Sequence, residues 1–224
     1  MKMILKGNKK KLFNLNFKEI IDKEKIKNLF TYKNLFIFLL SFLIINIIIG
    51  SVFYFFTSLK EKNLIKENLD LYFTIPKTYN FINLLKSSLF NNMSNFLLVW
   101  LLGISVFGIV IIILIFFFEA FSLGFTFSAI LSKYGLKGIL GSICYIFPSK
   151  LLYILGLFII TYFAIRFSYQ MIKHLFLKKD TNLQTAMKKY TKNLGLVLGY
   201  AFLISILEVF LTPFFIKIFT FILK

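Results

Sequence analysis

Apolar residues run along this chain in four long blocks separated by stretches rich in Lys and Asn. The first block, 35–56, has 22 residues, and as a helix it extends about 33 Å, enough for a hydrocarbon core of roughly 30 Å. The second, 95–131, has 37 residues interrupted only by Glu119. That is long for one crossing and short for two. The third, 138–165, is interrupted by Pro148, Ser149 and Lys150. The proline lacks a backbone N–H, which predicts a kinked or broken helix there. The fourth, 194–223, carries Glu208 and Pro213 inside it. The pattern predicts an all-α, polytopic integral membrane protein with about five transmembrane helices.

The polar stretches set the expected orientation. Residues 1–33 hold ten Lys and three acids. Asn16 and Glu19 have capping-box spacing, and Phe13, Phe17, Ile20 and Ile21 share a helical face. Segment 1–34 reads as a basic amphipathic helix on the inner leaflet; a short solvated helix fits the same residues. The apolar run that follows is too long for a signal peptide and has no small-residue cleavage site. An uncleaved anchor with a cytoplasmic N-terminus is expected. Segment 57–94, with five Lys and three acids, is divided by Pro76 and reads as extracytoplasmic. Leu59, Leu64 and Leu69 among its charges suggest a helix on the outer surface. Segment 166–193 has seven basic residues and one acid, so it belongs on the cytoplasmic side. Thr181 and Gln184 look like a cap, followed by a stripe of Leu183, Met187 and Tyr190 opposite Lys188, Lys189 and Lys192. That predicts a short inner-surface helix. Two inside segments require an even number of crossings between them. The expected count is four, then a fifth in 194–224 that leaves the C-terminus outside. Region 95–165 then supplies about three transmembrane or part-spanning helices, and the chain turns within 95–131. The rival is one long span plus a re-entrant segment.

Composition agrees. The chain is 58% hydrophobic with 31 Phe, against roughly 45–50% apolar in soluble domains. The lone Cys144 excludes an internal disulfide and reads as a packed residue. The net charge of +18 would also suit nucleic acid. Its Lys residues flank apolar runs, however, so the expected partners are anionic membrane lipids and not nucleic acid. Catalytic patterns are lacking. His174 is the single His, and no HExxH, GxSxG, GxxxxGK[ST] or GxGxxG occurs. Gly135, Gly138 and Gly141 beside Lys137 read as a turn and a helix start. No catalytic, cofactor-binding or metal-binding residue is expected, and the protein is not expected to be an enzyme.

The remaining candidates concern helix packing and intramembrane polarity. Ala120, Gly124, Ser128 and Ser132 recur every fourth residue, a ridge along which another helix approaches closely. Gly195 and Gly199 have GxxxG spacing. Glu119, Lys150, Arg166 and Glu208 lie in or beside apolar runs, where a charge costs at least ~2.5–3.5 kcal/mol. Arg166 ends a span and snorkels. Glu119 fits an interfacial turn. Lys150, just past Pro148, fits a polar pocket. Glu208 is the deepest; it is expected to pair with Lys150 or a partner subunit, with an ion or proton pathway as the alternative.

Between residues 91 and 176 the chain resembles stage II sporulation protein M of endospore-forming Firmicutes. The resemblance rests on Asn91-Asn92, on Trp100-Leu-Leu-Gly103-Ile-Ser-Val-Phe-Gly108, and on Phe118-Glu-Ala-Phe-Ser-Leu-Gly-Phe-Thr126. Gly135-Leu-Lys-Gly138, Phe147-Pro148 and Phe167-Ser168 with Lys173 complete it. Glu119-Ala120 stands where members often have Lys-Gly or Asn-Gly, and Ser149-Lys150 where Gln-Asn or His-Gly is expected. The resemblance implies a multi-pass, non-enzymatic component of sporulation engulfment at the septum and engulfing membrane. It would act with stage II sporulation proteins D and P, which cleave septal peptidoglycan. A membrane scaffold for those hydrolases accounts for the missing catalytic residues and the small-residue ridge. A permease-like transporter subunit is the alternative, and it accounts for the buried charges and the broken helix.

Overall fold

The computed structural model describes residues 32–73, 80–145, 150–177 and 183–223. Two units are distinguished, Met1–Phe38 and Leu39–Lys224; every contact below lies within the second. The expected amphipathic segment before Tyr32, Pro76, Pro148, Ser149 and Thr181 fall outside the described residues.

The described residues form helices α1 (Tyr32–Phe56), α2 (Leu59–Phe73), α3 (Phe81–Ile104), α4 (Gly108–Tyr134), α5 (Lys137–Tyr145), α6 (Leu152–Leu177) and α7 (Leu183–Leu223). The fold is all-α. Four of these helices are long and apolar enough to cross a membrane: α1, α4, α6 and α7. The protein is therefore a multi-pass membrane protein. Helix α3 has 24 residues but carries Asn83, Lys86, Asn91, Asn92 and Asn95 and is not among the four.

Local chemistry sets several boundaries. Ser58 and Glu61 form a capping box at the start of α2: the Ser58 N–H donates to Glu61 Oε2 at 3.1 Å and the Glu61 N–H donates to Ser58 Oγ at 3.3 Å. The Ser58 hydroxyl, which also donates to that carboxylate, holds the Glu61 carboxyl below its usual range. Asn80 caps α3 through its side chain, which accepts from the Asn83 N–H at 3.3 Å. Helix α4 stops at Gly135, whose φ of 58° is open to glycine at little cost. Its N–H bonds the Leu131 carbonyl at 2.9 Å.

The turn inside 95–131 falls at Ser105-Val106-Phe107. The Ser105 N–H bonds the Leu102 carbonyl at 3.0 Å, and the Gly108 N–H bonds the Ser105 carbonyl at 3.2 Å. A side chain on Gly108 would run into that Leu102 carbonyl, so glycine permits the tight reversal.

Helices α3, α6 and α7 pack against one another, α4 leans on α5 and α6, α5 on α7, and α2 on α4. Contacts fix their directions. Asn95 meets Tyr153 and Ser105 meets Ser168, so α3 and α6 run alongside in the same sense. Ser88 meets Glu208 and Trp100 meets Tyr190, so α7 runs opposite to α3. Phe42 stacks with Phe116 and Tyr54 meets Phe125, so α1 runs with α4.

Three expectations change. Segment 57–94 already contains the first half of α3. Segment 166–193 is mostly helix, because α6 continues to Leu177 and α7 begins at Leu183. The short surface helix at 183–192 is the opening of α7, which runs unbroken for 41 residues through Pro213. At about 1.5 Å per residue that is twice a bilayer core.

Candidate helix-packing and intramembrane polar site

The buried residues of α4 include Gly108, Ile112, Phe116, Ala120, Gly124 and Ser128. A spacing of four keeps them on one helical face. At its centre α1 comes within backbone contact. A side chain on Gly124 would overlap the Ile47 carbonyl, and one on Gly50 the Phe121 carbonyl. Ser51 Oγ donates to the Gly124 carbonyl at 3.0 Å. Small residues on both helices thus allow main chain to touch main chain, where dispersion rather than hydrophobicity drives association. The ridge ends at Ser128; Ser132 is exposed. Gly103 serves α3 in the same way, since an added side chain would strike Ala164 and the Tyr190 hydroxyl. Gly195 and Gly199 face open space, so their GxxxG spacing marks no contact within the described residues.

The charged candidates fall into two clusters. Glu119 does not lie at a turn: α4 runs straight through it. It lies roughly 16 Å along the axis from Gly108 and roughly 22 Å from Tyr134. The Lys150 ammonium lies 3.9 Å from its carboxylate. Tyr153 donates to Glu119 at 3.4 Å, and Asn95 donates to the Tyr153 hydroxyl at 2.9 Å. The Tyr153 ring stacks on Phe96 at 5.5 Å, nearly parallel, which fixes the hydroxyl. Lys150 and Leu151 open α6 with a wider π-type turn, a geometry common at functional positions. The lysine stays 43% exposed, so the pair has an open side.

Glu208 does not pair with Lys150. It accepts a 2.6 Å hydrogen bond from Ser88 Oγ. Asn92 donates to Ser88 Oγ at 3.3 Å and to Ser205 Oγ at 3.0 Å, and Ser205 donates to the Ala201 carbonyl at 2.9 Å. This ladder zips α3 to α7. Two turns of α3, from Ser88 to Asn95, thus contribute a polar stripe whose members bond to α6 and α7. Sequence reasoning missed Ser88, Tyr153 and Ser205, and took Asn92 only as part of the resemblance. The readable signal was the spacing of Ser88, Asn92 and Asn95, which shares a helical face.

Toward the Tyr134 end of α4, Phe73, Tyr134 and Phe219 meet edge-on or tilted at 4.7–5.8 Å. They adjoin a cluster with Tyr54, Ala129, Ile130, Cys144 and Ile216. Lys133 pairs with Asp70, and Tyr134 donates to Asp70 at 3.1 Å. The Lys133 hydrogen bond holds the Asp70 carboxyl below its usual range. Among the described residues no three His, Cys, Asp or Glu side chains gather as metal ligands do.

The family model for stage II sporulation protein M matches residues 30–213. The chain belongs to that family. The match takes in α1 through most of α7, and with them the Gly50–Gly124 crossing, Glu119, Lys150 and Glu208. It reaches well beyond the segment 91–176 on which the sequence resemblance rested. Membership implies a role in sporulation engulfment, in a family of generally non-catalytic membrane proteins. No curated protein and no solved structure matches the chain.

Proposed function

We propose that this stage II sporulation protein M family member is a membrane scaffold. It holds peptidoglycan hydrolases, stage II sporulation proteins D and P, at the septum while septal wall is thinned and the membrane migrates. The observation that carries this reading, beside family membership, is how the intramembrane polar groups are used. Ser88, Asn92, Ser205 and Glu208 bond to one another and tie α3 to α7. Polar groups engaged this way give a rigid platform rather than a path.

The proposed orientation follows from charge. The end where α6 leaves and α7 enters carries the basic residues of 166–193 and faces the cytoplasm. With α1, α4 and α7 running one way and α3 and α6 the other, there are five crossings. The α5–α6 pair makes the fourth. Helix α2 and the Phe73–Tyr134–Phe219 cluster then face the extracytoplasmic side, where wall hydrolases act.

One observation favours the permease-like reading: Glu119 and Lys150 lie beside an interrupted helix, with an open side. The variants Glu208→Gln, Glu208→Leu and Glu119→Gln separate the two. For a scaffold, Glu208→Gln keeps an acceptor for Ser88, so spore yield and co-purification of the hydrolases stay near wild type. Glu208→Leu strands Ser88 at a cost of about 1–3 kcal/mol and lowers assembly. Glu119→Gln keeps the Tyr153 bond and sporulates. Loss of engulfment in either Gln variant, at normal protein level and with normal partner recovery, would replace the scaffold by the transporter.

A further inference from the structure

At the end of the bundle where α3 turns, an open groove of about 650 Å³ lies between the tip of α3, α6 and the first turns of α7. Ile104, Phe167, Met171 and Met187 give it apolar walls, and Lys188 and Lys192 stand on its rim. The two lysines are four residues apart on one helix, so they share a face about one turn apart. Both are exposed, and neither has an ion pair among the described residues. Immediately behind the groove, Phe167 stacks on Tyr190 at 4.5 Å and Tyr190 on Trp100 at 5.8 Å. The Tyr190 hydroxyl donates to the Trp100 carbonyl at 2.9 Å. Tyr190 is buried and Trp100 half-buried, so this stack braces the back wall of the groove, while the exposed Lys188, Lys189 and Lys192 put its mouth at the polar end of the bundle.

We propose that this groove is a binding site for one anionic phospholipid of the inner leaflet. An acyl chain lies against Phe167, Met171 and Met187, and the phosphate sits between Lys188 and Lys192. The assignment rests on the orientation proposed above. The volume is in the range of small-ligand sites, and a basic rim on an apolar cleft at the cytoplasmic face is the chemistry that selects anionic headgroups. The chain's own residues 1–31 are a poor occupant: with nine Lys against three acids they are repelled by the same rim. A free phosphate gains nothing from the four apolar walls.

The test uses the full-length protein in detergent, followed by native mass spectrometry and thermal unfolding. The ligands are phosphatidylglycerol, phosphatidylcholine and inorganic phosphate. One phosphatidylglycerol should be retained per chain, roughly tenfold or more tightly than phosphatidylcholine, and it should raise Tm. The double variant Lys188→Gln/Lys192→Gln should lose that preference. Lys189→Gln, on the same helix outside the groove, should keep it. Met187→Trp fills the groove while leaving both charges in place and should also lose the retained lipid, so the proposal stays testable if the double variant misfolds. Equal retention of both lipids would overturn the site. So would an unaltered double variant, or a Tm rise with phosphate alone. None of these readouts depends on sporulation, so they fail or succeed separately from the scaffold reading; cysteine labelling of Lys188 decides the orientation.

Discussion

Asp70 is one of three acids in the stretch between the first two apolar blocks, and its partners lie 63 and 64 positions away, on the last turn of α4. By accepting from Lys133 and Tyr134 it ties α2 to α4. Lys133 also donates to the Lys66 carbonyl, so a single ammonium closes two points of the same contact. The hydrogen bond from Lys133 lowers the carboxyl in the folded protein, and the sign of the pH effect follows. A depressed carboxylate contributes stability that is full above its unfolded value, about 3.9, and is lost as pH falls through the lower folded value. Asp70→Asn should therefore lower Tm slightly at neutral pH, and the gap from wild type should close in acid. Unfolding of the detergent-purified pair at several pH values reads this directly. A gap that persists or widens in acid would mean that the carboxylate charge is not what holds α2 down. The effect is small because the Asp70 side chain is 65% exposed.

At the scale of elements, the α1–α4 crossing is the contact with least slack. Backbone meets backbone at Gly50 and Gly124, and a Leu at either position has to push a whole helix aside. Gly124→Leu should cost at least the ~1–3 kcal/mol of core overpacking and reduce accumulation in the membrane. Gly195→Leu, on a face with open space, should leave levels unchanged, which quantitative immunoblotting of both variants checks. The α4 ridge was legible because its period survives in the sequence as Ala120, Gly124 and Ser128. It stops short of Ser132, which stays on the helix but is exposed. The turn at Ser105-Val106-Phe107 was illegible: Gly108, which permits it, is one of several glycines in the apolar sequence, and Val106 and Phe107 continue the block on either side. The start of α3 was hidden for the opposite reason. Asn83, Lys86, Ser87, Ser88, Asn91 and Asn92 were counted with the polar extracytoplasmic segment 57–94, whereas helical geometry turns Ser88 and Asn92 toward α7. Hydropathy averages over faces, and a polar stripe that bonds to other helices looks the same as one that meets water.

For the whole molecule the decisive quantity is the parity of crossings. A cysteine at Lys62, on α2, and another at Lys188, on α7, in a background with Cys144 replaced, report it. In intact cells an impermeant thiol reagent should label the first and spare the second. Labelling at both positions would leave an even number of crossings between them and dismantle the five-crossing orientation. The all-α, multi-pass architecture was legible in the blocks and in the flanking Lys. The four helices apolar enough to cross on their own are α1, α4, α6 and α7, and α3 is the fifth long helix of the bundle. The pairing of charges was not legible. Which acid meets Lys150 depends on how far α5 folds back along α4 before α6 begins, and no local signal encodes that depth.

The ladder between α3 and α7 also sets an order of events during synthesis. Ser88 and Glu208 are 120 residues apart, so at about 5–20 residues per second the ribosome needs roughly 6–24 s to deliver the second after the first. Asn92 waits nearly as long for Ser205, and Asn95 waits for Tyr153. Until α6 delivers Tyr153 the stripe has none of these partners, and until α7 follows, Ser88 and Asn92 still lack theirs. Three residues join it to α4, whose apolar surface is already complete, so the two enter the bilayer as one helical hairpin with α4 carrying its less apolar neighbour. A cysteine at Ser88, in a background with Cys144 replaced, should therefore react faster with a thiol reagent in chains arrested before α7 has emerged than in chains arrested after it.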